Sequence, residues 1–366
     1  MSTRKLALLA SLLVFSVQAH AASGYTGLTV FGDSLSDTGN NASVIDSILG
    51  GIRTPIPIPN AITGGSLVPT FPYASDRYTN ANVWLDNFAP AIGQSATALR
   101  NGGSNYAFGG ARVGPANPRG LLDPQNFPPT VATQVATFLA SGPVDPGALY
   151  VLTGGGNDAR DVFGPSGIAG LIAGNANTIA PALMPSISTL VANAAAQFAS
   201  EVATNVAALR SAGAGTIVVW NVANVATTPE SIARGRSFTS TAGAPSYAEI
   251  GNQLSDAMNN ALATTVGNVA GVHIFDFHGI LQKEVSNPTL GNVTDACATT
   301  LACDPSNYLY WDGIHPTSAM HAIVSTAMVD FVNAVPEPHS YAMMLVGVAM
   351  IGTIMAMRRP RPSSFT

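Results

Sequence analysis

Four short apolar runs recur along the chain, and each stops on a turn of glycine, asparagine or aspartate. They are Leu28–Phe31 before Gly32-Asp33-Ser34, Ala148–Leu152 before the Gly154-Gly155-Gly156 turn, Thr216–Trp220 before Asn221, and Val272–Asp276. Their length and their turn residues predict β-strands. Between the last three lie alanine-rich segments, notably 187–210 and 247–266, with apolar residues every three to four positions, and a further one runs from Thr317 to Val332. That spacing predicts helices. Strands separated by helices pair in parallel through right-handed crossovers, with helices on both faces of the sheet, so the chain is expected to be an α/β protein. In such sheets the residues just beyond the C-terminal strand ends gather in one crevice, and chemistry is to be sought there. The sequence contains no internal repeat. The glycine- and proline-rich stretch from Gly50 to Pro72 reads as a long surface insertion.

Composition narrows the class further. Hydrophobic residues make up 47% of the chain and charged residues only 10%, against roughly 25% charged in an average soluble domain. Disorder needs the opposite balance, and a long coiled coil would be rich in Glu and Lys. With 15 basic against 20 acidic residues the formal charge is −5, and the only lysines are Lys5 and Lys283. This argues against a broad nucleic-acid-binding face.

Both ends read as addresses. Arg4 and Lys5 precede an apolar run from Leu6 to Val17, and Ala19-His20-Ala21 supplies small residues at −3 and −1, so residues 1–21 are expected to be a secretory signal peptide cut after Ala21 by signal peptidase. At the other end, Val335-Pro336-Glu337-Pro338 precedes an uncharged, largely apolar run, 340–357, followed by Arg358, Arg359 and Arg361. As a helix that run would rise about 27 Å, nearly the thickness of a bilayer core. The arginines place its far end in the cytoplasm and the preceding domain on the exported side. The order Pro-Glu-Pro, short helix, arginine cluster resembles the PEP-CTERM sorting tail of Gram-negative bacteria. That resemblance implies recognition and cutting by an exosortase, transient anchoring through the helix, and a final place in the periplasm, at the cell surface or in the matrix. An ordinary tail anchor shares the helix and charges without the Pro-Glu-Pro. The body is then 22–334, a single large domain outside the cytoplasm. Its two cysteines, Cys297 and Cys303, stand close together in a Thr- and Ala-rich loop and are expected to form one local disulfide in an oxidising compartment. No histidine flanks them to make a metal site.

The strand ends carry the chemistry. Ser34 stands where a sharp turn leaves the first strand, a place that presents a hydroxyl at the rim of a sheet. Far downstream, Asp312 precedes His315 by three positions on a segment that enters a helix. An acid at that offset can reach the imidazole and fix its tautomer while the other ring nitrogen takes a proton from a serine. Two stretches could stabilise an oxyanion: the Gly109-Gly110 pair, through a backbone N–H, and Asn157, through its side-chain amide. Ser36 competes with Ser34 on residue type alone but lies beyond the strand end. Asp33 and Asp37 are expected to cap the turn and the helix after it. His273 and His278 are read as structural and His321 as a surface histidine, with no paired-carboxylate or HExxH spacing to suggest a metal. Trp311 could line a pocket or pack behind its loop.

The four blocks FGDSLSDTGN, NYAFGGA, GGGND and WDGIHPT, in that order, resemble the GDSL or SGNH family of serine hydrolases, across residues 28 to about 332. The resemblance implies a three-layer α/β/α sandwich with a mostly parallel, flavodoxin-like central sheet, and hydrolysis of carboxylic esters without a metal or organic cofactor. Carried over by position, Ser34 matches the nucleophile, Asp312 the orienting acid and His315 the base. Ser34, Gly110 and Asn157 match the oxyanion hole, with Gly109 able to fill the Gly110 slot under a one-residue shift. The acyl and alcohol pockets are expected from the loops 50–78 and 121–131, which carry Phe71, Tyr73, Tyr78 and Phe127. Beside the esterase or lipase reading stand an acetylesterase of surface polysaccharide and a non-catalytic surface or matrix binding protein.

Overall fold

In the computed structural model, residues 24–51, 73–74, 76–115, 127–299, 302–335 and 350 are described. The expected signal peptide, most of the insertion from Gly50 to Pro72, and the apolar tail helix apart from Met350 lie outside them. Among the described residues no helix is long and apolar enough to cross a membrane.

The central sheet holds β1 (Leu28–Phe31), β2 (Leu149–Leu152), β3 (Thr216–Trp220) and β4 (Val272–Phe275), all parallel and in that spatial order. Register runs Phe31 to Leu152, Leu152 to Val219 and Val219 to Ile274, so the C-terminal ends are level. At the outer edge of β1, Val30 pairs with Asn105, and the Tyr106 N–H donates to the Val30 carbonyl at 2.7 Å. The block-two loop therefore leaves the sheet beside the first strand end.

Strand side chains alternate between faces, and two apolar layers follow. On one face Phe31, Tyr150, Leu152, Ile217 and Val219 pack with α3 (Val131–Ser141), α4 (Gly156–Phe163), α5 (Ile168–Ala173), α6 (Met184–Ser211) and α8 (Tyr247–Val266). On the other, Val30, Leu149, Val151, Val218, Trp220 and Phe275 pack with α2 (Trp84–Ala91), α9 (Phe277–Ser286) and α10 (Ser318–Ala334). The remaining helices are α1 (Asn40–Leu49) and α7 (Pro229–Gly235), and a short pair, β5 (Asn292–Ala296) with β6 (Tyr308–Tyr310), leads into the histidine loop. The result is a mostly parallel sheet between helical layers, a three-layer α/β/α sandwich.

Local rules account for the helix boundaries. Tyr247–Val266 begins at a capping box, with the Ser246 N–H donating to Glu249 Oε2 at 2.6 Å and the Glu249 N–H to Ser246 Oγ at 3.2 Å. It buries Ile250, Leu254, Met258 and Leu262, one stripe at helical spacing. The last helix starts at Thr317, whose hydroxyl accepts the Met320 N–H, and buries Met320, His321, Val324, Ser325, Met328 and Val332. This corrects the reading of His321 as a surface residue. It belongs to the apolar stripe of its own helix, which packs on α2, and is only 3% exposed.

Candidate active site

The turn after β1 has room for no side chain at its first position. A Cβ on Gly32 would lie 1.9 Å from Thr153 Oγ1, so glycine lets the two neighbouring strand ends close up. Gln134, buried on α3, clamps both backbone groups of Gly32: its Oε1 accepts the Gly32 N–H at 2.8 Å and its Nε2 donates to the Gly32 carbonyl at 2.9 Å. Asp33 accepts the Leu35 N–H and Asp37 accepts those of Gly39, Asn40 and Asn41, so both carboxylates hold the turn and the start of α1. Ser36 is fully buried, with its hydroxyl between Thr153 Oγ1 and Trp84 Nε1, and is a structural residue.

Ser34, two residues beyond Gly32, has its Oγ 2.8 Å from His315 Nε2. His315 Nδ1 lies 2.6 Å from Asp312 Oδ2. The loop between β6 and α10 that carries both is closed by backbone bonds from the Trp311 N–H to the His315 carbonyl and from the Thr317 N–H to the Leu309 carbonyl, each 2.8 Å. Asp312 Oδ1 takes the N–H groups of Ile314 and His315 at 2.8 and 2.6 Å. Burial pushes the Asp312 carboxyl up, but the His315 charge and the hydrogen bonds from His315 and Tyr73 outweigh it and leave it below its ordinary value. It is therefore an ionised acceptor at neutral pH.

The oxyanion candidates are told apart by their bonds. Gly109 donates its N–H to Asp37 Oδ2 at 2.9 Å, whereas the Gly110 N–H has no hydrogen-bond partner among the described residues. Gly110 has φ +83°, and its carbonyl is held by Arg112 at 2.7 Å while Arg112 pairs with Asp161. The Phe108 N–H bonds the Gly32 carbonyl at 3.1 Å, so this loop lies against the serine turn. Asn157, in the first turn of α4, donates from Nδ2 to the Ala111 carbonyl at 3.0 Å and keeps a second amide hydrogen. One cavity is lined by Ser34, Asn157 and His315 together.

Most of the two loops expected to build the pockets, 52–72 and 121–126, lies outside the described residues. The apolar wall of that cavity is Leu35, Val225, Phe277, Leu281, Tyr310 and Ile314, with Asn224, Thr228 and Ser231 as polar points. This described wall comes from the serine turn, the segments after β3 and β4, the end of β6 and the histidine loop. The tyrosines assigned to a substrate loop stand elsewhere: Tyr73 bonds Asp312, and the Tyr78 ring packs 5.3 Å from the imidazole. Phe127 packs edge-on against Phe108, and Phe71 lies outside the described residues. Trp311 packs with Tyr73, Cys297 and Ala298, behind the loop. Cys297 and Cys303 are joined by a disulfide, their Cα atoms 5.5 Å apart.

Residue type and spacing single out neither Gln134 nor the part played by Tyr73. Gln134 stands in an ordinary amphipathic helix, and Tyr73 ends a stretch with no periodic pattern, so only tertiary proximity reveals them. His273 sits on β4 and half-buried His278 bonds Asn259 and the Val222 carbonyl.

Known proteins offer the following likenesses. An uncharacterized protein in the trpE-trpG intergenic region of Pseudomonas putida is 26% identical over an alignment of 356 positions that covers 87% of this chain and 50% of that protein, so the chain spans half the length of this relative. Among solved structures, a member of the lipolytic protein G-D-S-L family from Veillonella parvula is 9% identical over 84% of this chain and 99% of its own, with a TM-score of 0.40. An acetylxylan esterase from Geobacillus stearothermophilus is 13% identical over 85% of this chain and 96% of its own, with a TM-score of 0.35. A PEP-CTERM protein-sorting motif matches residues 334–359. The GDSL-like lipase/acylhydrolase family model matches residues 28–328, from the first strand through most of α10, and the chain belongs to that family.

Proposed function

We propose that the protein hydrolyses carboxylic esters by a two-step acyl transfer on Ser34. The observation that carries this is the continuous line Ser34 Oγ, His315 Nε2, His315 Nδ1, Asp312 Oδ2, with spacings of 2.8 and 2.6 Å. A serine hydroxyl is a poor nucleophile until a base takes its proton, and His315 is placed to do so while Asp312 fixes its tautomer. Ser34 attacks the ester carbonyl, and the resulting oxyanion is held by the backbone N–H groups of Ser34 and Gly110 and by the Asn157 amide. His315 then protonates the leaving alcohol. The same residue activates water, which attacks the acyl-enzyme, releases the acid and restores Ser34.

The described cavity beside Ser34 has a volume of about 90 Å³. Its mostly apolar wall suits a short acyl chain over a palmitoyl one. A non-catalytic surface protein would need no ionised Asp312 behind an imidazole facing a serine. For the ends we propose cleavage after Ala21, a catalytic domain over 22–334, and a tail from residue 335 that exosortase processes after the apolar segment has held the protein in the membrane. This puts the mature enzyme outside the cytoplasm of a Gram-negative bacterium.

The test is hydrolysis of p-nitrophenyl esters from acetate to palmitate by the full-length protein beside Ser34→Ala. Turnover of the short esters that Ser34→Ala abolishes is the expected result. No turnover of any ester, together with no labelling of the folded protein by a fluorophosphonate, would overturn the catalytic reading.

A further inference from the structure

We infer that Tyr73 is a positioning residue for the ester hydrolysis, a fourth member of the line Ser34, His315, Asp312. The inference rests on those three residues acting as proposed above. Tyr73 Oη lies 2.5 Å from Asp312 Oδ2, the same oxygen that His315 Nδ1 approaches at 2.6 Å, although 239 positions separate the tyrosine from the aspartate.

Asp312 is 0% exposed, so its charge has to be satisfied by the protein. Its oxygens take four donors: the N–H groups of Ile314 and His315 on Oδ1, and His315 Nδ1 and the Tyr73 hydroxyl on Oδ2. Tyr73 is the one donor of the four that comes from outside the histidine loop. Burial, then the negative charge of Asp312 and the bond to it, raise the Tyr73 phenol well above its ordinary value, so it remains a donor at every working pH. The ring is fixed too. It stands edge-on to the His315 imidazole with ring centres 6.5 Å apart, and 6.4 Å from the Tyr78 ring.

Two consequences follow for the reaction. A donor on Oδ2 disfavours the protonated carboxyl, so Asp312 stays an acceptor for the imidazole proton to lower pH. It also fixes the carboxylate plane, and through it the ring, with Nε2 directed at Ser34. The other titratable groups facing the pair are Asp33, whose carboxylate acts on His315 from the serine turn, Tyr78 from the segment before α2, and His321 from α10. None of them reaches Asp312 Oδ2 among the described hydrogen bonds.

The experiment uses the full-length protein with p-nitrophenyl acetate and compares Tyr73→Phe, a single ring fluorine on Tyr73, and Ser34→Ala. Tyr73→Phe keeps the ring and removes the donor. Its kcat is expected to fall about tenfold with KM within about twofold, the scale of a lost bond to a charged group. The acid limb of its kcat/KM profile is expected to move to higher pH, because the Asp312–His315 pair then takes up its proton more readily. The fluorinated ring, a stronger donor of the same shape, is expected to move that limb to lower pH, and it answers the question even if Tyr73→Phe does not fold. A residue that only packs would lower Tm and leave both limbs in place. An unmoved limb and native kcat in both variants, with Ser34→Ala inactive, overturn the role of Tyr73 alone. Native turnover by Ser34→Ala overturns the underlying triad and the role of Tyr73 with it.

Discussion

Ser34 Oγ and His315 Nε2 are 2.8 Å apart in space and 281 positions apart in sequence. The sheet brings them together: the serine leaves the end of β1, and the histidine loop returns over the same rim. If this bond is the nucleophile–base contact, Ser34→Ala and His315→Ala each lower kcat by about 10⁴-fold or more, and the double variant is scarcely worse, because the two residues act as one unit. Steady-state kinetics on p-nitrophenyl acetate decide it. Independent, multiplying losses would mean that the residues do not act together.

The two neighbouring glycines separate by stability. A Cβ on Gly109 would lie 2.3 Å from the Tyr78 ring, which is buried and packed against His315, so Gly109→Ala is expected to cost about 3 kcal/mol through overpacking. On Gly110 the nearest atom is Pro128 Cγ at 3.5 Å. There the penalty is the left-handed backbone alone, about 1–2 kcal/mol. Urea unfolding of both variants measures the difference, and equal costs would contradict the steric account. Asn157→Ala, by contrast, is expected to lower kcat by about 10²–10³ with KM little changed.

Much of this was legible before any coordinates. The four strands stand within a residue of where their apolar runs and turn residues put them, because a parallel sheet covered on both faces buries nearly every strand position and leaves a continuous apolar run in the sequence. Ser34, Asp312 and His315 were visible as residue types at strand ends and at a three-residue offset. The pocket was not. Its described wall takes Val225 from the segment after β3, Phe277 and Leu281 from α9 and Ile314 from the histidine loop, residues that any apolar core could have claimed. Tyr73 was visible as an aromatic of the loop 50–78, but its hydroxyl is directed onto Asp312, a direction that only the packed loop decides. The surface reading of His321 left out the apolar stripe from Met320 to Val332 of its own helix, on which it falls.

The disulfide should stabilise the loop behind the acid. Cys297 and Cys303 close a short ring, and the Ala298 N–H donates to the Trp311 carbonyl at 2.8 Å, one residue before Asp312. Closing a loop of this size is worth about 2 kcal/mol in the chain-entropy account. Cys297→Ser with Cys303→Ser is therefore expected to lower Tm by several degrees. A reducing agent should do the same to the native protein and leave the double variant unchanged. A native Tm indifferent to reductant would show that the bridge contributes nothing.

Acid should unfold the protein partly through His321. Burial, then the charge of His315, pushes its imidazole down to about 3, and its Nε2 has no hydrogen-bond partner among the described residues. In the unfolded chain a histidine titrates near 6.5, so below that pH the unfolded state takes up a proton that the folded state refuses. The stability supplied by the neutral ring is complete above about pH 6.5 and is lost progressively as the pH falls towards 3. Integrated to pH 4, the loss is on the order of 3 kcal/mol. His321→Leu removes both the titration and the unsatisfied nitrogen, with a modest change in packing that does not depend on pH. Its stability relative to the native protein is expected to rise by that amount between pH 8 and pH 4 in urea titrations. Parallel curves for the two proteins over that range would show that His321 is not the group that refuses the proton.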